Sequence, residues 1–149
     1  MQTFLPFPSF NDSAHILDRQ RLGKQRVEAL QIYNALTNPS YGWQNHPAVN
    51  MWRGHEYALC MYGVVCCLEW KLRGYQDSLL VKFADAMNEF VARGVEYSEP
   101  KWLGDERVHL SHQSKLVQKM PEHYGKFVGN EFGQFDVLAK NWEYFWPVR

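Results

Sequence analysis

The chain lacks most of the features that would settle its class at a glance. It has no excess of either charge sign, with 16 Lys+Arg against 16 Asp+Glu, so the global basicity that advertises a nucleic-acid partner is missing. It has only three cysteines, Cys60, Cys66 and Cys67, all within one apolar run. An odd number on one expected helix argues against a secreted disulfide scaffold and for a reducing, intracellular, cytoplasmic setting. The longest apolar run, residues 58–68, is too short to span a bilayer, so no membrane partner is expected. The start, MQTFLPFPSF, has no basic n-region and holds two prolines, which argues against a signal peptide. Repeats, linkers and low-complexity tracts are absent, as are GxGxxG, GxxxxGK(S/T) and GxSxG. Nucleotide-cradle and hydrolase-elbow readings therefore have no support.

What is present is helical periodicity and aromatic mass. At 149 residues the chain fits one domain, 1–149, large enough to bury a core. Residues 1–10 read as an extended arm, after which Asn11, Asp12 and Ser13 are natural caps for a helix over 14–36. At about 100° per residue, Leu22, Ala29, Tyr33 and Leu36 make its core stripe, while Arg21, Lys24, Glu28 and Gln31 share another side. TNPSYGWQNHP is loop, and Pro47 suits the first turn of a second helix over 48–73. That helix is apolar nearly all round between residues 57 and 72, hence central, with Gly54 and Gly63 expected to admit close neighbours. An amphipathic third helix over 78–92 and a fourth over 105–119 follow, and then an irregular aromatic tail. No stretch alternates as a strand does. The fold class is all-α: a compact single-domain bundle of about four helices with an extended N-terminal arm.

Charge is local rather than global. Residues 14–31 carry a net +2 and residues 77–99 a net −3, so a neutral total hides a basic face and an acidic back. The stretch LDRQRLGKQRVEAL gathers Arg19, Arg21, Lys24 and Arg26 around one internal acid, Glu28. A solvated face with Lys24 paired to Glu28 at i, i+4 is the ordinary explanation. A phosphate-binding face is the functional one, and a lone carboxylate there repels DNA unless it serves chemistry. The six histidines include an HxxH pair, His109 and His112, and His46 and His55 near the second helix. HxxH lacks the i, i+4 spacing and intervening Glu of HExxH, and the cysteines offer no CxxC, so no metal is expected. Hydrogen-bonding or phosphate-contacting roles, His55 among them, are the better reading. The segment WLGDERVHLSHQSKLVQKMPEHYGKF interleaves Trp102, Lys115, Lys119, Tyr124 and Lys126. Such a segment suits a phosphate-tracking, base-stacking surface and equally an aromatic cover over the core.

Taken in order, these segments resemble the pyrimidine-dimer DNA glycosylase family, the endonuclease V type first known from a bacteriophage. The resemblance rests on Gln20, Leu22 and Glu28 in the spacing QxLxxxxxE, on EWKLRGY at residues 69–75, and on HQSKL and YGK further on, collinear over residues 18–127. Arg21 and Val27 stand where the family has His and Arg. The resemblance implies a compact helical fold and a cofactor-free glycosylase and abasic-site lyase acting on double-stranded DNA as a monomer. In that chemistry an N-terminal α-amine, here Met1 because the large Gln2 disfavours its removal, attacks C1′ and forms an imine, assisted by Glu28. An α-amine is suited to this, since its reference pKa of about 7.7–8 leaves a sizeable neutral fraction near pH 7. Arg19, Arg21, Lys24, Arg26, His55, Lys115, Tyr124 and Lys126 are then the expected DNA contacts. Three other readings remain open: a monofunctional glycosylase in which Glu28 activates water, a non-catalytic nucleic-acid-binding module, and a metal-dependent hydrolase.

Overall fold

A computed structural model describes residues 1–128 and 143–148. Among the described residues there are seven helices and no strand, which bears out the all-α class and revises the count of four. The expected aromatic tail falls partly on residues 129–142 and 149, outside the described residues. The portion at 143–148 is irregular, with Tyr144, Phe145 and Trp146 packed on the core.

The extra helices come from two breaks. The segment expected as one helix over 14–36 is two, α1 (Phe10–Ile16) and α2 (Arg19–Thr37), separated at Leu17 and Asp18. The caps are Ser9, whose hydroxyl accepts the Asp12 N–H at 3.1 Å, and Asp18, whose carboxylate accepts the Arg21 N–H at 3.3 Å, not Asn11, Asp12 or Ser13. Ser13 instead clips the arm, accepting the Phe7 N–H and donating to the Phe7 carbonyl. The break leaves α1 carbonyls open, and Arg73 from a distant turn donates to those of Ala14 and His15. Helix ends need such partners, because their last carbonyls have none within the helix.

The segment over 48–73 also divides, into α3 (Pro47–Asn50) and α4 (Glu56–Leu72). Gly54 lies at the break with φ +87 and nothing within 4 Å of where a side chain would start. It serves a left-handed turn, correcting the expectation of close packing there. Gly63 does serve close packing: a Cβ there would stand 2.5 Å from the Phe83 ring. That contact seats α5 (Leu80–Ala92) against α4. The start of α5 is two residues later than expected, because Asp77 caps it by accepting the Leu79 and Leu80 N–H groups. Helix α6 (Glu106–Lys119) matches its predicted span, and α7 (Pro121–Tyr124) follows it. Helix α2 packs against α4, and α4 against α1 and α5.

The arm is the feature that positions the site. Gln2, Thr3, Phe4 and Leu5 are buried despite lying in no helix or strand. A buried extended backbone needs partners for each peptide group, and here side chains supply them. Phe4 N–H donates to Gln25 Oε1 at 2.8 Å, Leu5 N–H to His112 Nδ1 at 2.9 Å, and Gln25 Nε2 to the Gln2 carbonyl at 2.9 Å. Gln113 reaches the Pro6 carbonyl at 2.7 Å, and the Trp52 indole N–H donates to the Thr3 hydroxyl at 3.0 Å.

Candidate active site

Helix α2 brings the arm's start and Glu28 together. The Gln2 N–H donates to Glu28 Oε2 at 3.3 Å, and Gln25 Nε2 donates to the same oxygen at 3.1 Å. Covalent geometry then holds the Met1 amine within about 7 Å of that carboxylate. The half-buried Glu28 thus has donors from Gln2 and Gln25, and the ordinary i, i+4 pairing with Lys24 is not among its hydrogen bonds or ion pairs. Beside it opens a cavity of about 250 Å³ lined by Met1, Gln20, Arg21, Lys24, Glu28 and Lys119, with Gln2, Phe4, Gln25 and Tyr144 completing the wall. Three cationic side chains, Arg21, Lys24 and Lys119, share that lining with one carboxylate. One carboxylate among three cationic side chains is a charge pattern that suits an anionic ligand.

Gln25 holds the arrangement, and sequence reasoning missed it. Its amide nitrogen bridges the Gln2 carbonyl and Glu28, while its amide oxygen accepts the Phe4 N–H and lies 2.6 Å from the Tyr62 hydroxyl. The same hydroxyl is 2.8 Å from the Phe4 carbonyl. Gln25 is 1 % exposed, so a buried polar side chain has all its capacity used. The signal was present: Gln25 falls on the Leu22–Ala29–Ile32 side of α2, where the stripe is otherwise apolar.

The HxxH pair serves the arm. His109 Nε2 accepts the Gly104 N–H at 2.9 Å, which leaves Nδ1 to donate to the Leu5 carbonyl at 2.7 Å. His112 accepts from Leu5 through Nδ1 and is fully buried. Burial depresses both imidazoles, His112 down to about 3, with the neighbouring His109 adding to the effect. Both histidines thus stay neutral and grip one residue's two peptide groups. Among the described residues no group of three or more His, Cys, Asp and Glu is placed to hold a metal.

The other expected contacts are dispersed. Arg19 is exposed, over the Tyr75 ring at 5.2 Å. Arg21 lies 3.1 Å from Asp18, whose carboxyl stays below its usual range: burial opposes this, but hydrogen bonds from Tyr124 and Arg21 outweigh it. Arg26 turns away from the cavity, 2.5 Å from Asp77 and over the Trp70 ring at 4.9 Å. Tyr124 is fully buried and donates its hydroxyl proton to Asp18. Trp102 is likewise core, its indole N–H donating to the Met51 carbonyl. Lys115 lies by the Tyr144 ring at 5.7 Å and Glu143 at 3.6 Å, and Lys126 is exposed. His55 directly precedes α4 and its ring meets the Ser98 hydroxyl, away from the cavity lining. Tyr144 was also missed; burial, with Glu28 adding, pushes its phenol up to about 12, so it faces the cavity as a neutral hydroxyl.

The cysteines stand apart. Cys60, Cys66 and Cys67 are free and buried in α4, and burial pushes the thiols of Cys60 and Cys67 up to about 12. Thiols so disfavoured as thiolates are not nucleophiles.

Among known protein families, the model for pyrimidine dimer DNA glycosylase matches residues 1–83. The match covers the arm, α2 and α4, and stops short of the HQSKL and YGK segments. Neither a curated protein nor a solved structure matches the chain.

Proposed function

Because the chain belongs to the pyrimidine dimer DNA glycosylase family, a membership that implies glycosylase action on DNA, we propose that its Glu28 cavity cleaves both the damaged base and the strand. In this reading the neutral Met1 amine attacks C1′ of the target deoxynucleotide. The N–C1′ bond forms as the bond to the base breaks, and the base leaves with a proton. The sugar ring opens to an imine. Loss of a C2′ proton then expels the 3′ phosphate, and water releases the protein. Glu28 carries the protons, and the Gln25 amide keeps its carboxylate aimed at the start of the arm. Arg21, Lys24 and Lys119 line the place of the flanking phosphates, with Arg19, Lys115 and Lys126 further out. Arg26 and Tyr124, engaged by Asp77 and Asp18, support α2 instead of touching DNA. The substrate is double-stranded DNA, bound by a monomer.

The observation that carries this reading is the arm folded onto α2, with the Gln2 N–H on Glu28. An ordinary surface helix would leave that carboxylate to solvent and Lys24. Borohydride reduction in the presence of abasic-site duplex is the test, because only an imine becomes a permanent protein–DNA adduct. The expected result is an adduct mapping to Met1, with Glu28→Gln slowing its formation at least ~100-fold, the usual worth of a positioned acid–base group. A protein with an intact Met1 amine, confirmed by mass, that gives no adduct would refute the lyase.

A further inference from the structure

The loop between α2 and α3 presents an indole to solvent at a backbone cost. Trp43 is 61 % exposed and sits at φ +67, alone among described non-glycine residues in having a positive φ. Large side chains rarely adopt that region, and such strain persists only where the surroundings enforce it. Here they do. Gln44 Nε2 donates to the Asn38 and Tyr41 carbonyls, both at 2.9 Å. Arg53 donates to the Gln44 carbonyl at 3.0 Å, and the His46 N–H donates to the Trp43 carbonyl at 3.1 Å.

Trp43 is also the outer end of an aromatic row. Its ring meets His46 edge-on at 5.8 Å, His46 meets Trp146 at 5.9 Å, and Trp146 meets Tyr144 at 5.6 Å. Tyr144 lines the Glu28 cavity. His46 is near the arm's start as well, since burial and then the charge of the Met1 amine depress its imidazole. Residues 38–46 contain no acid, so nothing in the loop itself repels a phosphate backbone.

We propose that Trp43 is the stacking platform for an unpaired nucleobase of the DNA, at the mouth of the aromatic row leading to the Glu28 cavity. The inference rests on the reading of that cavity as the DNA-processing site. A nucleotide taken out of a duplex for chemistry loses its stacking partners and leaves an unpaired base opposite. An exposed aromatic face replaces lost stacking whatever the base, which suits a rigid, uncharged presenter.

The test uses a duplex with a tetrahydrofuran abasic analogue, which has no C1′ leaving group and forms no imine. Binding is thereby separated from catalysis. Trp43→Ala weakens binding to this duplex about tenfold, within the usual worth of a base–aromatic stack, while Trp43→Phe keeps most of it. A fully paired duplex binds both variants as it binds the wild type. Trp43→Gly, which accepts the left-handed backbone, keeps the melting temperature and loses the same affinity, so the loss is not a folding defect. Wild-type affinity in Trp43→Ala overturns the platform, as does equal weakening on both duplexes. Failure of borohydride trapping with the discrimination intact removes the lyase and leaves the platform standing.

Discussion

Helices α2 and α4 pack against each other and bury their inner sides in opposite ways. Helix α4 hides volume: Leu59, Cys60, Tyr62, Cys66 and Cys67 are buried on it, and Gly63 makes room for Phe83. Helix α2 hides an amide: Gln25 sits among Leu22, Ala29 and Ile32, with each of its polar atoms engaged. Apolar packing is non-directional, so α4 fixes how far apart the helices lie. A satisfied hydrogen-bond set is directional, so α2 fixes where the arm and Glu28 point. One helix holds the fold together and the other orients the arm beside Glu28.

The largest effect should come from breaking the directional side. Gln25→Leu leaves the Phe4 N–H and the Gln2 carbonyl buried without partners, for about 3–5 kcal/mol of stability at the usual cost of such groups. Urea denaturation measures it, and imine trapping should slow beyond what the folded fraction explains. A Gln25→Leu protein as stable and as active as the wild type would reduce the amide to a bystander. On the volume side, Gly63→Ala places a methyl against the Phe83 ring and should cost about 2 kcal/mol, a fall of ~4–8 °C in melting temperature. Its activity at low temperature should be unchanged, which is the contrast with Gln25. An activity loss as large as that of Gln25→Leu would erase the division between the two helices.

The smallest and most selective effect concerns acid. His112 is depressed to about 3 in the folded protein, by burial first and His109 second, against about 6.5 unfolded. The unfolded chain therefore binds the extra proton first, so stability is full above pH 6.5 and falls as pH drops toward 3. Between pH 6.5 and 5 the loss is about 1.5 kcal/mol. His112→Asn keeps an acceptor for the Leu5 N–H but does not titrate. Thermal melts across that window should show a flatter slope for the variant, and parallel slopes would mean His112 is protonated when folded.

The sequence made α4 legible because its signals are local: an apolar run of helical length ending before Gly74, at φ +94. The division at residues 51–55 was marked by Gly54, and went unread because a glycine in an apolar helix also suits close packing. The break at Leu17 and Asp18 carries no such mark. Asp18 becomes a cap partly through Tyr124, 106 residues away, whose hydroxyl its N–H also meets. The Glu28 face was visible from its charge pattern, but the burial of the arm was not. Gln25, His112 and Gln113 look polar in one dimension, and only folding shows that they replace a missing strand partner.

The bonds that seat the arm join Leu5 to His109 and His112, and Pro6 to Gln113, across 104 to 107 residues of chain. During synthesis the arm therefore leaves the ribosome before α6 and waits for it before finding its place. The segment that bears the family match is made early and finished late, and a truncation after residue 83 removes the clasp while keeping Met1 and Glu28.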